Sequence, residues 1–352
     1  MANRHDPTFE DAMNELVDLS RPYEPRYLRM FSDLSPEQLK TVKTIWPDIK
    51  PDRRMKLMEG LEEIMEEETR YSFTDLARLA LNDLNPKVRS SALRLLYEEE
   101  DLRLISIFIR MMNKDPDPEV RATAASTLGF FVYLGMMEEI PEDHAIRVVD
   151  ALVVKMNGDD LPLVRRRALE SMGYATRPDV DALIRNSYLS KDKEWMASAL
   201  FAMGRSGVAF WEKFILAELQ NPEPDIQVEA IRAAGEMSME AARQPLLSLL
   251  DNQDSLDDEV RLSAMIALGS IGGEGVREFL IAALEECEDE EEMIIIEGAL
   301  EDLDFSEEVE RPLLFNFDDL EINEDEEFDS AEQTDNDEST PPDEPKKKPK
   351  RH

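Results

Sequence analysis

The sequence predicts an all-α protein whose helices pair and stack into an α-α superhelix, a solenoid of about seven repeats. Three observations carry that expectation. One pattern recurs along the chain: DPDPEVRATAASTLG at Asp115–Gly129, DDLPLVRRRALESMG at Asp159–Gly173 and LDDEVRLSAMIALGS at Leu256–Ser270. Its spacing is helical, with a small and then a long apolar residue at four and eight positions after a valine. Composition agrees: Ala, Leu, Met, Glu and Arg dominate, only 13 of 352 residues are glycine, and Val/Ile/Thr runs with turn punctuation are missing.

Taking the valine before the arginine as the anchor, and following it by a small residue four later and an apolar one eight later, gives Val88, Val120, Val164, Trp195, Ile226, Val260 and Ile295. Four residues on, every copy has alanine: Ala92, Ala124, Ala168, Ala199, Ala230, Ala264 and Ala299. The anchors are spaced by 32, 44, 31, 31, 34 and 35 residues. Anchor, alanine and apolar residue share one stripe of a helix, and the small side chain lets a neighbouring helix approach closely. A second amphipathic helix precedes each anchor helix, as in Val180–Leu189 and Ala241–Leu250. Turns such as NPEPD (Asn221–Asp225) start the anchor helices, and Gly173, Gly204, Gly235 and Gly269 are expected to end them. Such pairs cannot bury both faces alone, so they stack.

At these residues a family resemblance enters. DPDPEVRATAASTLG and DDEVRLSAMIALGSIGGEGVREFLIAAL resemble HEAT repeats of the short type first associated with phycobilin lyases, over about Phe73–Asp304. The resemblance implies a superhelix whose second helices line the concave side. Trp195-Met196, Ile226-Gln227 and Ile295-Ile296 depart from the pattern by lacking the arginine, and the 44-residue interval inserts about a dozen residues around Phe130–Asp143.

In chain order, residues 1–70 read as an N-terminal helical cap. It includes the amphipathic Arg53–Glu68, a candidate degenerate repeat. Residues 71–304 form the HEAT-like solenoid. Residues 305–352 carry 17 acids and 6 bases and are expected to be a disordered acidic tail with a basic terminus, PKKKPKR.

The whole chain has a formal charge of −39, of which −28 falls on residues 1–304. Such a field opposes nucleic acid and anionic lipid, which bind through Lys and Arg. The longest apolar runs are far shorter than the ~20 residues of a membrane span. Cys287 is the single cysteine, so no internal disulfide and no multi-thiolate zinc site can form. A soluble, cytoplasmic protein is expected.

Chemistry finds no support. The histidines are His5, His144 and His352, none followed by glutamate, unlike the His-Glu pairs of a di-iron hydroxylase on this fold. GSIGGEG (Gly269–Gly275) lacks the strand and the Lys-Ser/Thr ending of a phosphate loop. EECEDEEE (Glu285–Glu292) lacks the spacing of a calcium loop. No catalytic residue, metal or cofactor is expected, and a phycobilin-lyase-like accessory role is the alternative. The anchor arginines Arg89, Arg121, Arg165 and Arg261 are read as structural, bonding to the adjacent repeat.

Positions three, six and ten after each anchor point away from the core stripe at about 100° per residue. This gathers Phe130, Arg167, Tyr174, Phe201 and Arg205 on the concave face, with Arg166 beside them. Arginine with aromatics is the composition of interface hot spots. The expected activity is therefore non-enzymatic: a scaffold binding a protein partner, with an acidic or amphipathic segment as the ligand. The chain's own Leu313–Asp329, acidic and carrying six large apolar residues before its acidic run, is a candidate competitor.

Overall fold

Turn chemistry decides where the helices begin. The computed structural model describes residues 7–310 other than 19, 21–22, 69 and 252–255. Within them every regular element is a helix. Asn85, Asp117, Asp192 and Asp257 accept hydrogen bonds from backbone N–H groups at the start of the following helix, and proline occupies the first turn of four anchor helices.

The N-terminal elements are α1 (Phe9–Val17), α2 (Pro36–Ile45) and α3 (Pro51–Glu67). Seven pairs follow: α4 (Thr74–Ala80) with α5 (Pro86–Arg94), α6 (Arg103–Lys114) with α7 (Pro118–Met136), and α8 (Glu142–Asn157) with α9 (Pro162–Ser171). Then come α10 (Pro178–Leu189) with α11 (Lys193–Ser206), and α12 (Glu212–Glu218) with α13 (Pro224–Glu236). Last are α14 (Glu240–Leu250) with α15 (Asp258–Ile271), and α16 (Val276–Glu286) with α17 (Glu290–Glu310). Successive anchor helices, α7 through α17 by odd numbers, pack against one another more extensively than the first helices of the pairs do. The anchor helices are therefore the tighter, inner layer of the stack, and the first helices are the outer one.

The alanines four after the first six anchors are fully buried, and the apolar residues beside them form one continuous core with the first helices. The residue after each anchor fastens the stack. Arg89 donates to both carboxylate oxygens of Asp115 at 2.8 and 2.7 Å and to the carbonyls of Asp83 and Leu84. Arg121 does the same to Asp160 of the next pair and to the Asp115 carbonyl. Arg165 donates to Met156 O at 2.8 Å and lies 5.3 Å over the Trp195 ring. Arg261 reaches Glu292. Where arginine is missing, Gln227 still donates to Leu219 O at 2.8 Å. Arg89, Arg121, Arg165 and Gln227 thus satisfy carbonyls at or just past the C-terminal end of their own first helix, and the four arginines add a carboxylate or a ring of the next repeat.

Arg54 repeats the arrangement from α3. It pairs with Asp83 at 3.0 Å, both side chains nearly buried, while Trp46 Nε1 donates to the same carboxylate at 2.7 Å. So α3 stands toward α5 as each anchor helix stands toward the next.

Three expectations need correcting. Gly204, Gly235 and Gly269 do not end their helices; they lie inside α11, α13 and α15. A Cβ there would come within 2.8, 3.0 and 2.9 Å of the Cα of Ala233, Ala267 and Ala299 on the next anchor helix. Their missing side chain sets the distance between neighbouring anchor helices, a role the sequence reading had assigned to the alanines alone. The second correction is register. Gly204 and Gly235 meet the residue seven after the next anchor, so Ala299, which meets Gly269, places the last anchor at Glu292 rather than Ile295. Ile296 then takes the buried position four on, at 0 % exposure, while Ile295 is half-buried. Third, the 44-residue interval contains no separate insert. It is absorbed by lengthening α7 to 19 residues and α8 to 16.

The described residues belong to one unit, which ends at Glu310. Helix α17 runs past Asp304 to Glu310. The expected disordered tail, its Leu313–Asp329 segment and PKKKPKR lie outside the described residues.

Candidate functional site

The inner face of the anchor helices carries a row of aromatic rings. Tyr97 packs on Phe130 with centroids 5.9 Å apart, Phe130 on Tyr133 at 6.2 Å, and Tyr133 on Tyr174 at 5.2 Å. Arg205 continues the row, its guanidinium 5.2 Å over Tyr174 and 4.3 Å over Phe201. All are half-buried, so each ring keeps a packed side and a wet side. The helical arithmetic thus brings together Phe130, Tyr174, Phe201 and Arg205. It missed Tyr97, which sits nine rather than ten after its anchor, and Tyr133, which lies in the lengthened part of α7.

The other two predicted residues are arranged differently. Arg166 has a side chain only 16 % exposed and pairs with Glu194 of α11 at 3.3 Å. Arg167 is exposed but bonded at 2.5 Å to Glu170, whose buried carboxylate also accepts from Ser198 Oγ at 2.6 Å. Further along, Arg232 pairs with Glu229 and Glu259 at 3.4 and 3.0 Å. The expected basic patch is therefore corrected to a ladder of arginines, most bonded to carboxylates of the same face. Glu170, Glu229 and Glu236 fall on the same three, six and ten spacing; the spacing does not show their pairing.

Burial shapes the ladder's protonation. Burial pushes the Glu229 carboxyl above the usual glutamate range; Arg232 opposes this, and Glu170 and Glu236 add to it. Burial also raises Glu236, with Arg205 opposing. One Glu229 oxygen and the Arg205 Nε are buried without a hydrogen-bond partner. Between α13 and α15 a pocket of about 250 Å³ opens among Gly235, Ser263, Ile266 and Ala267, with Arg232 and Glu236 beside them. Ile266 there is 46 % exposed. The arrangement offers stacking surfaces, an apolar pocket and alternating charges. Among the described residues no group of His, Cys, Asp or Glu is placed to hold a metal, and no helix is long and apolar enough to cross a membrane.

The family pattern for HEAT repeats matches residues 73–141 and 212–300. These are HEAT repeats. Between the two HEAT stretches, the pairs α8/α9 and α10/α11 continue the same stack, with Gly173 against Ala202 and Gly204 against Ala233. Among solved structures, YibA of Escherichia coli is similar at 16 % identity and a TM-score of 0.41, over 82 % of this chain and 99 % of that one. Human deoxyhypusine hydroxylase is similar at 18 % identity and a TM-score of 0.32, over 75 % and 95 %. Kap121p bound to Pho4p is similar at 15 % identity and a TM-score of 0.40, over 84 % of this chain and 37 % of that one. Likenesses of this strength carry no functional argument. No curated protein matches the chain.

Proposed function

We propose that this HEAT-repeat protein is a cytoplasmic, non-enzymatic scaffold whose inner groove binds an amphipathic segment of a partner protein. The observation that carries the reading is the aromatic row from Tyr97 to Phe201, capped by Arg205 and followed by the Ile266 pocket. Rings held by packing present apolar area at low entropic cost, the property of interface anchors. Of the two ligand chemistries expected, the amphipathic one is favoured. An acidic segment would have to displace Glu170, Glu194, Glu229 and Glu259 from their arginines. Phe130, Arg166, Arg167, Tyr174, Phe201 and Arg205 are the proposed contacts.

Substitutions in the groove test this. Arg167 is a poor probe, because its reversal strands buried Glu170. Ile266→Arg is better: the side chain is exposed, so stability should change by about 0.5 kcal/mol or less, while the pocket is filled by a cation. Expected is at least a tenfold loss of partner affinity, with Tyr174→Ser acting in the same direction. Unchanged affinity in both, with the partner crosslinked elsewhere, refutes the groove. A bilin-lyase-like accessory role is the second reading, tested by an absorbance scan with bilin and an apo-phycobiliprotein. Competition by Leu313–Asp329 is a proposal from sequence, tested by truncation before Asp318.

A further inference from the structure

A second set of cations lies on the outer layer. The chain leaves α11 through Gly207 at φ 59°, a conformation open to glycine, and enters a short 3-10 turn, Ala209–Trp211. Trp211 turns inward, 1 % exposed, and Phe210 turns outward, 45 % exposed. Phe210 packs at 4.9 Å from Trp211 and 5.7 Å from Phe214, and Phe214 packs at 5.3 Å from Tyr188 of α10. Phe210 is thus an exposed ring packed on a partly buried aromatic base.

Two exposed cations flank that ring. Arg185 of α10 lies 5.2 Å from the Phe210 centroid and Lys213 of α12 lies 4.5 Å from it. Among the described residues their partners are rings, not carboxylates. Glu218 of α12 is already engaged by Tyr188 Oη and Asn221 Nδ2. Leu189 and Val208, 59 % and 38 % exposed, extend the apolar surface.

We propose that this outer face, formed by α10, the 209–211 turn and α12, docks an acidic segment of a partner protein carrying aromatic or aliphatic side chains. Carboxylates of such a segment meet Arg185 and Lys213, while its apolar residues cover Phe210 and Leu189. On a chain of charge −39 most of the surface repels an acidic ligand, so two cations flanking one exposed ring fix where an acidic, apolar segment lands. The site is separate from the inner groove and does not rest on it.

The test uses the full chain with 13C-methyl-labelled Leu and Val. The probe is a short synthetic peptide alternating Leu or Phe with Asp or Glu. Its control has Lys in place of every acid. Saturable shifts of the Leu189 and Val208 methyls are expected with the acidic peptide, weakening with salt. Arg185→Glu with Lys213→Glu should lower affinity at least tenfold without moving the melting temperature, and Ile266→Arg should leave it unchanged. Phe210→Ala should lower it too; if that variant melts early, the charge pair decides. No shift at Leu189 and Val208, equal binding of the Lys peptide, or unaltered affinity in the charge-reversed variant overturns the proposal.

Discussion

Arg89 shows how one residue fastens two repeats. Its side chain is 10 % exposed and bound to an Asp115 carboxylate that is 7 % exposed. Arg89→Met would leave that carboxylate without its cation, with only the Asp117 N–H still donating to it, and two loop carbonyls without their donor, a loss of about 3–5 kcal/mol. Arg94, 51 % exposed and paired with Glu62, should cost under about 1 kcal/mol on the same change. Urea unfolding of both variants checks the contrast, and equal losses would contradict it. Glu229 works in the other direction. Burial raises its carboxyl in the folded state, so the charged form costs stability at neutral pH. That cost disappears as pH falls through the raised value. Glu229→Gln should therefore melt above the wild type at pH 7, with the difference closing toward pH ~4.3, the ordinary glutamate value. A constant difference across that range would show that titration of Glu229 is not its source.

At the scale of elements, the helix pairs were legible because two periodicities coincide: apolar residues at four and eight, and copies about thirty residues apart. Glycine was harder to read. Beside a turn motif it signals a helix end, yet at Gly204, Gly235 and Gly269 the chain continues and the bare Cα accepts a neighbouring helix. The same ambiguity hid the register of α17, where both Ile295 and Glu292 fit part of the pattern. The structure decides for Glu292, and unfolding experiments can check it. Ile296→Ala should cost about 2–5 kcal/mol as a fully buried deletion, and Ile295→Ala distinctly less, from a half-buried site. Reversed costs would restore the sequence register.

At the scale of the whole molecule, charge and repeats bounded what the protein can be, and the site was only half legible. Spacing placed Phe130, Tyr174, Phe201 and Arg205 on one face, because a regular helix fixes direction. It could not show that Arg166 is bonded to Glu194 of the next anchor helix, since that pairing depends on how adjacent repeats are offset; the Arg167–Glu170 pair, three residues apart on α9, was open to the same helical spacing and was missed. The unpaired outer cations at Phe210 escaped notice for a related reason: no repeat pattern marks them. The inner layer of anchor helices is the proposed partner-binding surface. Hydrogen–deuterium exchange on the partner complex tests it most directly, read peptide by peptide against the free protein. Slowed exchange concentrated in α7, α9, α11, α13 and α15, across the aromatic row and the Ile266 pocket, is the predicted result. Slowed exchange confined to the first helices of the pairs, with those five anchor helices unchanged, would contradict it.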